Sequence, residues 1–235
     1  MPSEQTKALL RKVSTATLAT ALFKRGFKQQ FIQNVLPLGT LKESMVGEAF
    51  TLRYMPARED LDTLESFRDR GHLQRQAVET CPPGAVLVID SRKDARAASA
   101  GGILVTRLMQ RGAAGVVTDG GFRDSAEIAG LDIPAFHSRP SAPTNLTLHH
   151  AVAINDPIGC GDAPVFPGDI IVGDADGVIV IPAYIADEVA EEAVNMTQFE
   201  DFVTEQVREG ATILGLYPPT DPESSRKFEA WKQNR

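Results

Sequence analysis

Between Ala85 and Phe136 short apolar runs alternate with helix-length segments, and glycine marks most of the junctions. Ala85 to Asp90 is an apolar run ending in an acid and reads as a strand. Gly101 and Gly102 precede a helix predicted over 103–111, Gly112 stops it, and a strand is predicted over 114–118. Asp119, Gly120 and Gly121 turn the chain, Arg123 and Asp124 lead into a short helix predicted over 125–129, and another strand follows at 133–136. Helix and strand in alternation are satisfied by a layered α/β domain.

The flanks extend this core in both directions. Leu9, Leu10, Val13, Leu18, Leu22 and Phe23 form a helical stripe, read as two short helices with Ser14 or Thr15 capping the second and Gly26 ending it. A strand is predicted at 49–53. The charge-rich stretch 58–80 is predicted helical in its second half and closes at Cys81-Pro82-Pro83-Gly84. After Pro140 the pattern is mainly β, with strands at 151–154, 165–166, 170–172 and 178–181 separated by Pro, Gly and Asp turns. An amphipathic helix is predicted from Tyr184 to about Arg208, with Asp187, Glu188, Glu191 and Glu192 outward. A tail, 211–235, ends in a short basic helix. Neither a fixed-period repeat nor a linker divides the chain, so residues 1–235 are expected to form a single domain.

Composition bounds the partners. Lys and Arg number 24 against 31 Asp and Glu, a net charge of −7, so the surface repels phosphate backbones and argues against nucleic acid. The two cysteines, Cys81 and Cys160, are far apart, forming neither a disulfide framework nor a zinc motif, which suits a reducing cytoplasm. The opening segment lacks the unbroken apolar run of a signal peptide, and no window reaches the roughly 18 apolar residues of a membrane span.

Three constellations could carry chemistry. Gly101 and Gly102 either let an anion approach bare N–H groups at a helix start or relieve crowding where the helix meets the sheet. Arg123 and Asp124 follow a buried strand, where ligands of open α/β sheets sit. Asp124 also stands three residues before Glu127, the spacing of a capping box, and taken alone it is better read as a cap. Gly173-Asp174-Ala175-Asp176-Gly177 resembles a calcium loop but has Ile185 where the bidentate Glu belongs, so a tight turn is the better reading. The four histidines show no i, i+4 pairing, no Gly-x-Ser-x-Gly or Walker loop is present, and Lys93 is the least implausible Schiff-base lysine.

Together these residues resemble a family. The run Gly101 to Leu104, the block Arg111 to Asp124, Pro167-Gly168-Asp169 and Gly173 to Val178 are similar to the family of the regulator of ribonuclease activity A. That family also holds the class II 4-hydroxy-4-methyl-2-oxoglutarate and 4-carboxy-4-hydroxy-2-oxoadipate aldolases. Thr15 to Leu22, Pro37, Gly47 to Thr51 and Pro82 to Asp90 match its earlier blocks, so the resemblance spans roughly residues 10 to 210. It implies an α/β domain of the swivelling β/β/α type, with mixed sheets and flanking helices, assembled as a homotrimer or a dimer of trimers.

For the site, the resemblance implies that Arg123 binds substrate and is catalytic, and that Asp124 holds Mg2+ or Mn2+ mostly through waters. Gly101, Gly102, Ile103 and Leu104 would contact the substrate carboxylate. Several aldolase members have an acid second in the Gly turn, where this chain has Gly102, so the proton-transfer group must lie elsewhere. Asp119 or Glu200, and more remotely Glu205, are the candidates for a supporting acid, the helix residues reaching a neighbouring subunit. The expected activity is metal-dependent cleavage of a 4-hydroxy-2-oxo acid to pyruvate, with oxaloacetate decarboxylation alongside. Dehydration or hydrolysis of a sugar-derived 2-oxo-3-deoxy acid, and inhibition of a ribonuclease by protein binding, are the alternatives. A menaquinone methyltransferase is not supported, for want of a glycine-rich nucleotide loop. The segment 60–79 is longer than the usual family block and carries Arg68, Asp69, Arg70, His72 and Arg75, either recognising a substrate tail or forming a surface helix.

Overall fold

A computed structural model describes residues 3–233. The apolar run Ala85–Asp90 is a strand buried along its whole length. Its side chains alternate between two cores, Leu87 and Ile89 on one face, Val86 and Val88 on the other. Each such side chain contributes about 1.5–3 kcal/mol when fully buried, which fixes the register of this central strand. On one side it pairs in parallel with Gly115–Thr118, which pairs in parallel with Ala135–His137. On the other it pairs in parallel with Met45–Pro56, where the sheet turns antiparallel through Ile170–Asp174, Gly177–Ile181 and Phe31–Ile32. His149–Ile154 also pairs with Met45–Pro56, and Leu36–Pro37 closes the far edge against Ala135–His137.

Helices cover the sheet on two fronts. Glu4–Leu10, Thr15–Lys24 and Ala186–Arg208 pack on Val46, Ile170, Val172, Ile179 and Ile181 of the antiparallel half. Leu73–Thr80, Gly102–Gln110 and Ser125–Ala129 pack beside the parallel half around Leu87, Val105, Leu108 and Ile128. A hairpin, Ile158–Cys160 with Ala163–Val165, covers the second core. The tail helix Pro222–Gln233 joins Ala186–Arg208 through Phe199, Phe202, Phe228 and Trp231. The expected α/β architecture with mixed sheets and flanking helices is thus present.

The Gly173–Gly177 segment is the turn of the hairpin between Ile170–Asp174 and Gly177–Ile181. Its Asp174 accepts the Thr15 backbone N–H at 2.7 Å and the Thr15 hydroxyl at 2.8 Å, tying the N-terminal helices to the sheet. The strand lengths differ from expectation in one place that matters. A separate three-stranded parallel sheet, Ala98–Ala100, Gly121–Phe122 and Arg139–Pro140, stands apart from the large one. Its strands have two or three residues each, too few for a sequence pattern to mark.

Candidate active site

The small sheet explains where the site lies. Ala100 pairs with Phe122 in parallel, so the residues that follow them, Gly101 and Arg123, leave the sheet side by side. The Arg123 N–H donates to the Ala100 carbonyl at 3.1 Å and locks the two chain ends together. Gly120 and Gly121 are required by contact. A Cβ on Gly120 would stand 2.6 Å from the Ser91 Cβ and the Ser99 Oγ, and one on Gly121 2.7 Å from the Ser141 Cβ.

Asp124 adopts a left-handed backbone, φ 58°, which Asp tolerates better than most residues. It precedes the helix Ser125–Ala129 but makes no side-chain capping bond to it, so the capping-box reading of Asp124 with Glu127 is corrected. Instead its Oδ2 accepts the N–H of Gly102, at the start of a different helix, at 3.1 Å. The same oxygen lies 3.5 Å from the Arg123 Nε, and both side chains are close to half exposed, 46% and 42%. The pair therefore faces solvent while joined to the neighbouring Gly turn.

That turn opens the nine-residue helix Gly102–Gln110. A Cβ on Gly101 would lie 2.7 Å from the Arg123 Cγ and 2.9 Å from the Asp124 Oδ2. A Cβ on Gly102 would lie 2.8 Å from the Glu127 Oε2. The glycines thus make room for Arg123, Asp124 and Glu127, rather than relieving contact between helix and sheet. The N–H groups of Leu104 and Val105 return to the Gly101 carbonyl and that of Gly102 is taken by Asp124. The Ile103 N–H is left at the positive end of the helix for an anion, among the described residues.

These groups open onto one cavity of about 220 Å³, below the roughly 300–1,000 Å³ of drug-sized sites. Gly101, Ile103, Leu104, Arg123 and Asp124, but not Gly102, form part of its wall, and Phe67, Gln74, Arg75, Ala98, Ala100, Thr144 and Asn145 the remainder. Asn145, in the three-residue turn Asn145–Thr147, and Thr144, which precedes it, were missed from the sequence because so short a turn has no pattern of its own. Among the described residues no three His, Cys, Asp or Glu side chains gather as metal ligands. The donor set at Asp124 suits a hard divalent cation that keeps most of its waters and takes one carboxylate.

Other expected site residues lie elsewhere. Asp119 is buried and accepts N–H groups from Ser91 at 2.7 Å and from Lys93 and Gly161 at 3.1 Å, bracing two loops. Burial pushes its carboxyl up to about 6, against the pull of those N–H groups. Glu200 accepts from the Thr17 hydroxyl at 2.8 Å within its own chain, and Glu205 accepts from the Trp231 Nε1 at 2.6 Å. Lys93 pairs with Asp162, which holds its ammonium protonated, the opposite of what a Schiff-base lysine needs. Cys81 and Cys160 are free and buried, and burial raises both thiols, so neither is poised as a nucleophile.

The Asp119 shift has a testable sign. A carboxyl whose folded pKa is raised favours the folded state below its unfolded value near 3.8 and loses that contribution as pH rises through about 6. The difference in unfolding free energy between wild type and Asp119→Asn is therefore expected to change by about 3 kcal/mol between pH 3.5 and 6.5, wild type losing ground as pH rises. Urea melts across that range, with no pH-dependent difference between the two proteins, would contradict it.

A small parallel sheet that presents an Arg-Asp turn beside a helix start, on the wall of one compact cavity, defines the site of this α/β domain. The RraA-like family model, described as Aldolase/RraA, matches residues 15–180, and the chain belongs to this family. A protein of Halalkalibacterium halodurans named "Putative 4-hydroxy-4-methyl-2-oxoglutarate aldolase" is 39% identical over 118 residues, 50% of this chain and 56% of that protein. An uncharacterised protein of Methanocaldococcus jannaschii is 37% identical over 115 residues, 48% of this chain and 54% of its own. The chain thus spans about half the length of these curated relatives. Among solved structures, Streptomyces coelicolor RraAS2, described as an unusual member of the RNase ES inhibitor RraA family, superposes with a TM-score of 0.76 at 28% identity, covering 86% of this chain and 96% of that one. A Pseudomonas syringae protein superposes at 0.78 with 23% identity, over 90% and 92%, a likeness of fold. No helix among the described residues is long and apolar enough to cross a membrane.

Proposed function

We propose that the protein is a divalent-metal-dependent lyase that cleaves the C–C bond of a small 4-hydroxy-2-oxo acid to release pyruvate. The observation that carries this reading is the Arg123-Asp124 turn bonded to the Gly101–Leu104 helix start on the rim of one small cavity. Cleavage of such an acid moves an electron pair onto the 2-oxo oxygen, and a preorganised positive group beside that oxygen lowers the barrier. Arg123 supplies the fixed charge, and the Ile103 N–H at the positive helix end receives the substrate carboxylate. Asp124 would hold the cation, Mg2+ or Mn2+, which when bound supplies further Lewis acidity. Its bond to the Gly102 N–H fixes the carboxylate's orientation. Glu127 brings a second carboxylate to the Gly102 turn and is the candidate for proton transfer where relatives carry an acid at that position.

Oxaloacetate decarboxylation passes through the same enolate, so the site is expected to perform it as a side reaction. Assembly as a homotrimer or a dimer of trimers belongs to the same reading, as does residence in the cytoplasm. The substrates are anions and the net charge is −7, so binding depends on the local positive groups acting against the overall field. A coupled pyruvate assay over oxaloacetate and 4-hydroxy-2-oxo acids, run beside chromatographic measurement of the consumption of a 2-oxo-3-deoxy sugar acid, tests the reading. Pyruvate from the first two classes is the expected result. Turnover of the sugar acid alone would move the assignment to a dehydratase or hydrolase, and silence throughout would favour the protein-binding inhibitor of a ribonuclease.

A further inference from the structure

The charge-rich segment 58–80 brings two residues to the cavity wall, Phe67 from the turn Leu64–Arg68 and Arg75 from the helix Leu73–Thr80. The Arg75 guanidinium lies 4.0 Å over the centre of the Phe67 ring, a stacking that holds its plane. Its Nη1 is buried with no hydrogen-bond partner among the described residues. Five of the six acids of the same segment are engaged elsewhere, Asp60 with Arg58 and Glu65 with Arg68 among them. Asp62 bonds His150 and the Arg58 N–H, Asp69 takes the Gly71 N–H, and Glu79 pairs with Arg107.

A second orphan donor shares the cavity. Asn145 is 4% exposed, its Oδ1 accepts from the Thr144 hydroxyl, and its Nδ2 is buried without a partner among the described residues. Buried donors are normally satisfied, and two unpartnered ones on side chains that line the same cavity leave hydrogen bonds for a ligand's acceptor to complete once it draws those side chains toward it. A stacked guanidinium without an ion pair among the described residues, lining the same cavity as an amide donor, is suited to a carboxylate. The cavity therefore carries cationic groups at two places, Arg123 and Arg75, and its volume suits a short molecule with an anion at each end.

We propose that Arg75 and Asn145 form a subsite for the distal carboxylate of a short 2-oxo dicarboxylic acid. This rests on the reading above only in that the Arg123-Asp124 turn takes the 2-oxo acid head. A neutral-tailed acid would leave Nη1 of Arg75 and Nδ2 of Asn145 unpaired, so the subsite sets specificity as well as affinity.

The test is calorimetric titration of the protein, with Mg2+ present, using 2-oxoglutarate and 2-oxobutanoate, which share a head and differ in the second carboxylate. The wild type is expected to bind 2-oxoglutarate about 10-fold or more tightly, and Arg75→Gln to bring the ratio close to unity. Asn145→Asp, which sets a like charge beside the distal carboxylate, is expected to do the same and serves if Arg75→Gln folds poorly. Equal wild-type affinities, failure of 2-oxoglutarate to bind, or an equal weakening of both ligands in the variants would overturn the subsite. Discrimination without turnover of any 4-hydroxy-2-oxo acid would uphold the subsite and reject the lyase, and turnover without discrimination the reverse.

Discussion

Asp124→Asn is expected to fold as the wild type does and to lose pyruvate release by on the order of 10²–10³-fold, the scale on which one preorganised electrostatic group acts. The amide keeps an oxygen for the Gly102 N–H, a bond of 3.1 Å in the wild type, and Asn tolerates the left-handed backbone at φ 58°. What it removes is the negative charge. Asp124→Ala removes the bond as well and adds backbone strain of about 1–2 kcal/mol, so it mixes two effects. Thermal melts that match the wild type, with steady-state rates that fall, are the paired readouts. Full activity in Asp124→Asn would mean that the carboxylate holds no cation in the reaction.

Gly101→Ala is expected to reduce activity by about 10²-fold, the cost of displacing catalytic groups by roughly 1 Å. The reason is space, since the backbone at φ −131° is extended and open to any residue. The added methyl would stand 2.7 Å from the Arg123 Cγ and 2.9 Å from the Asp124 Oδ2, so both members of the pair must shift. Gly102→Ala is the comparison and is expected to cost less. Its methyl would meet the Glu127 carboxylate at 2.8 Å, the far end of an exposed and flexible side chain that can swing aside. A larger kcat loss in Gly102→Ala than in Gly101→Ala would place the critical contact at Glu127 instead of at the Arg-Asp turn.

The contrast between those two glycines shows what was legible before the fold was known. Apolar runs such as Ala85–Asp90 and the helix Ser125–Ala129 were readable because their ends are marked locally, by Pro82, Pro83 and Gly84 before the strand and Gly130 after the helix. The small sheet was not, because strands of two or three residues carry no periodicity. Without that sheet nothing in the sequence says that Gly101 and Arg123 emerge together. Asp124 shows the same limit. Its spacing to Glu127 is that of a capping box, yet the tertiary contact to Gly102 takes the carboxylate away from its own helix.

The acids were the hardest to assign. Asp119, expected as a supporting acid, faces inward onto three backbone N–H groups. Glu200 is expected from the resemblance as an acid reaching a neighbouring subunit, and within its own chain Thr17, from the N-terminal helices, donates to it. Arg75 stood open between a substrate-recognising and a surface role. Its stacking on Phe67 and its place on the cavity wall depend on how the segment 58–80 folds back, which charge composition does not encode.

The most direct test is the rate of pyruvate release from a 4-hydroxy-2-oxo dicarboxylic acid after the protein has been stripped with EDTA and then titrated with Mg2+ or Mn2+. Release that is absent in EDTA, saturates with the added cation in the wild type and fails to return in Asp124→Asn is the expected result. Release that is indifferent to EDTA, or that returns equally in both proteins, would contradict a metal-dependent site at the Arg123-Asp124 turn.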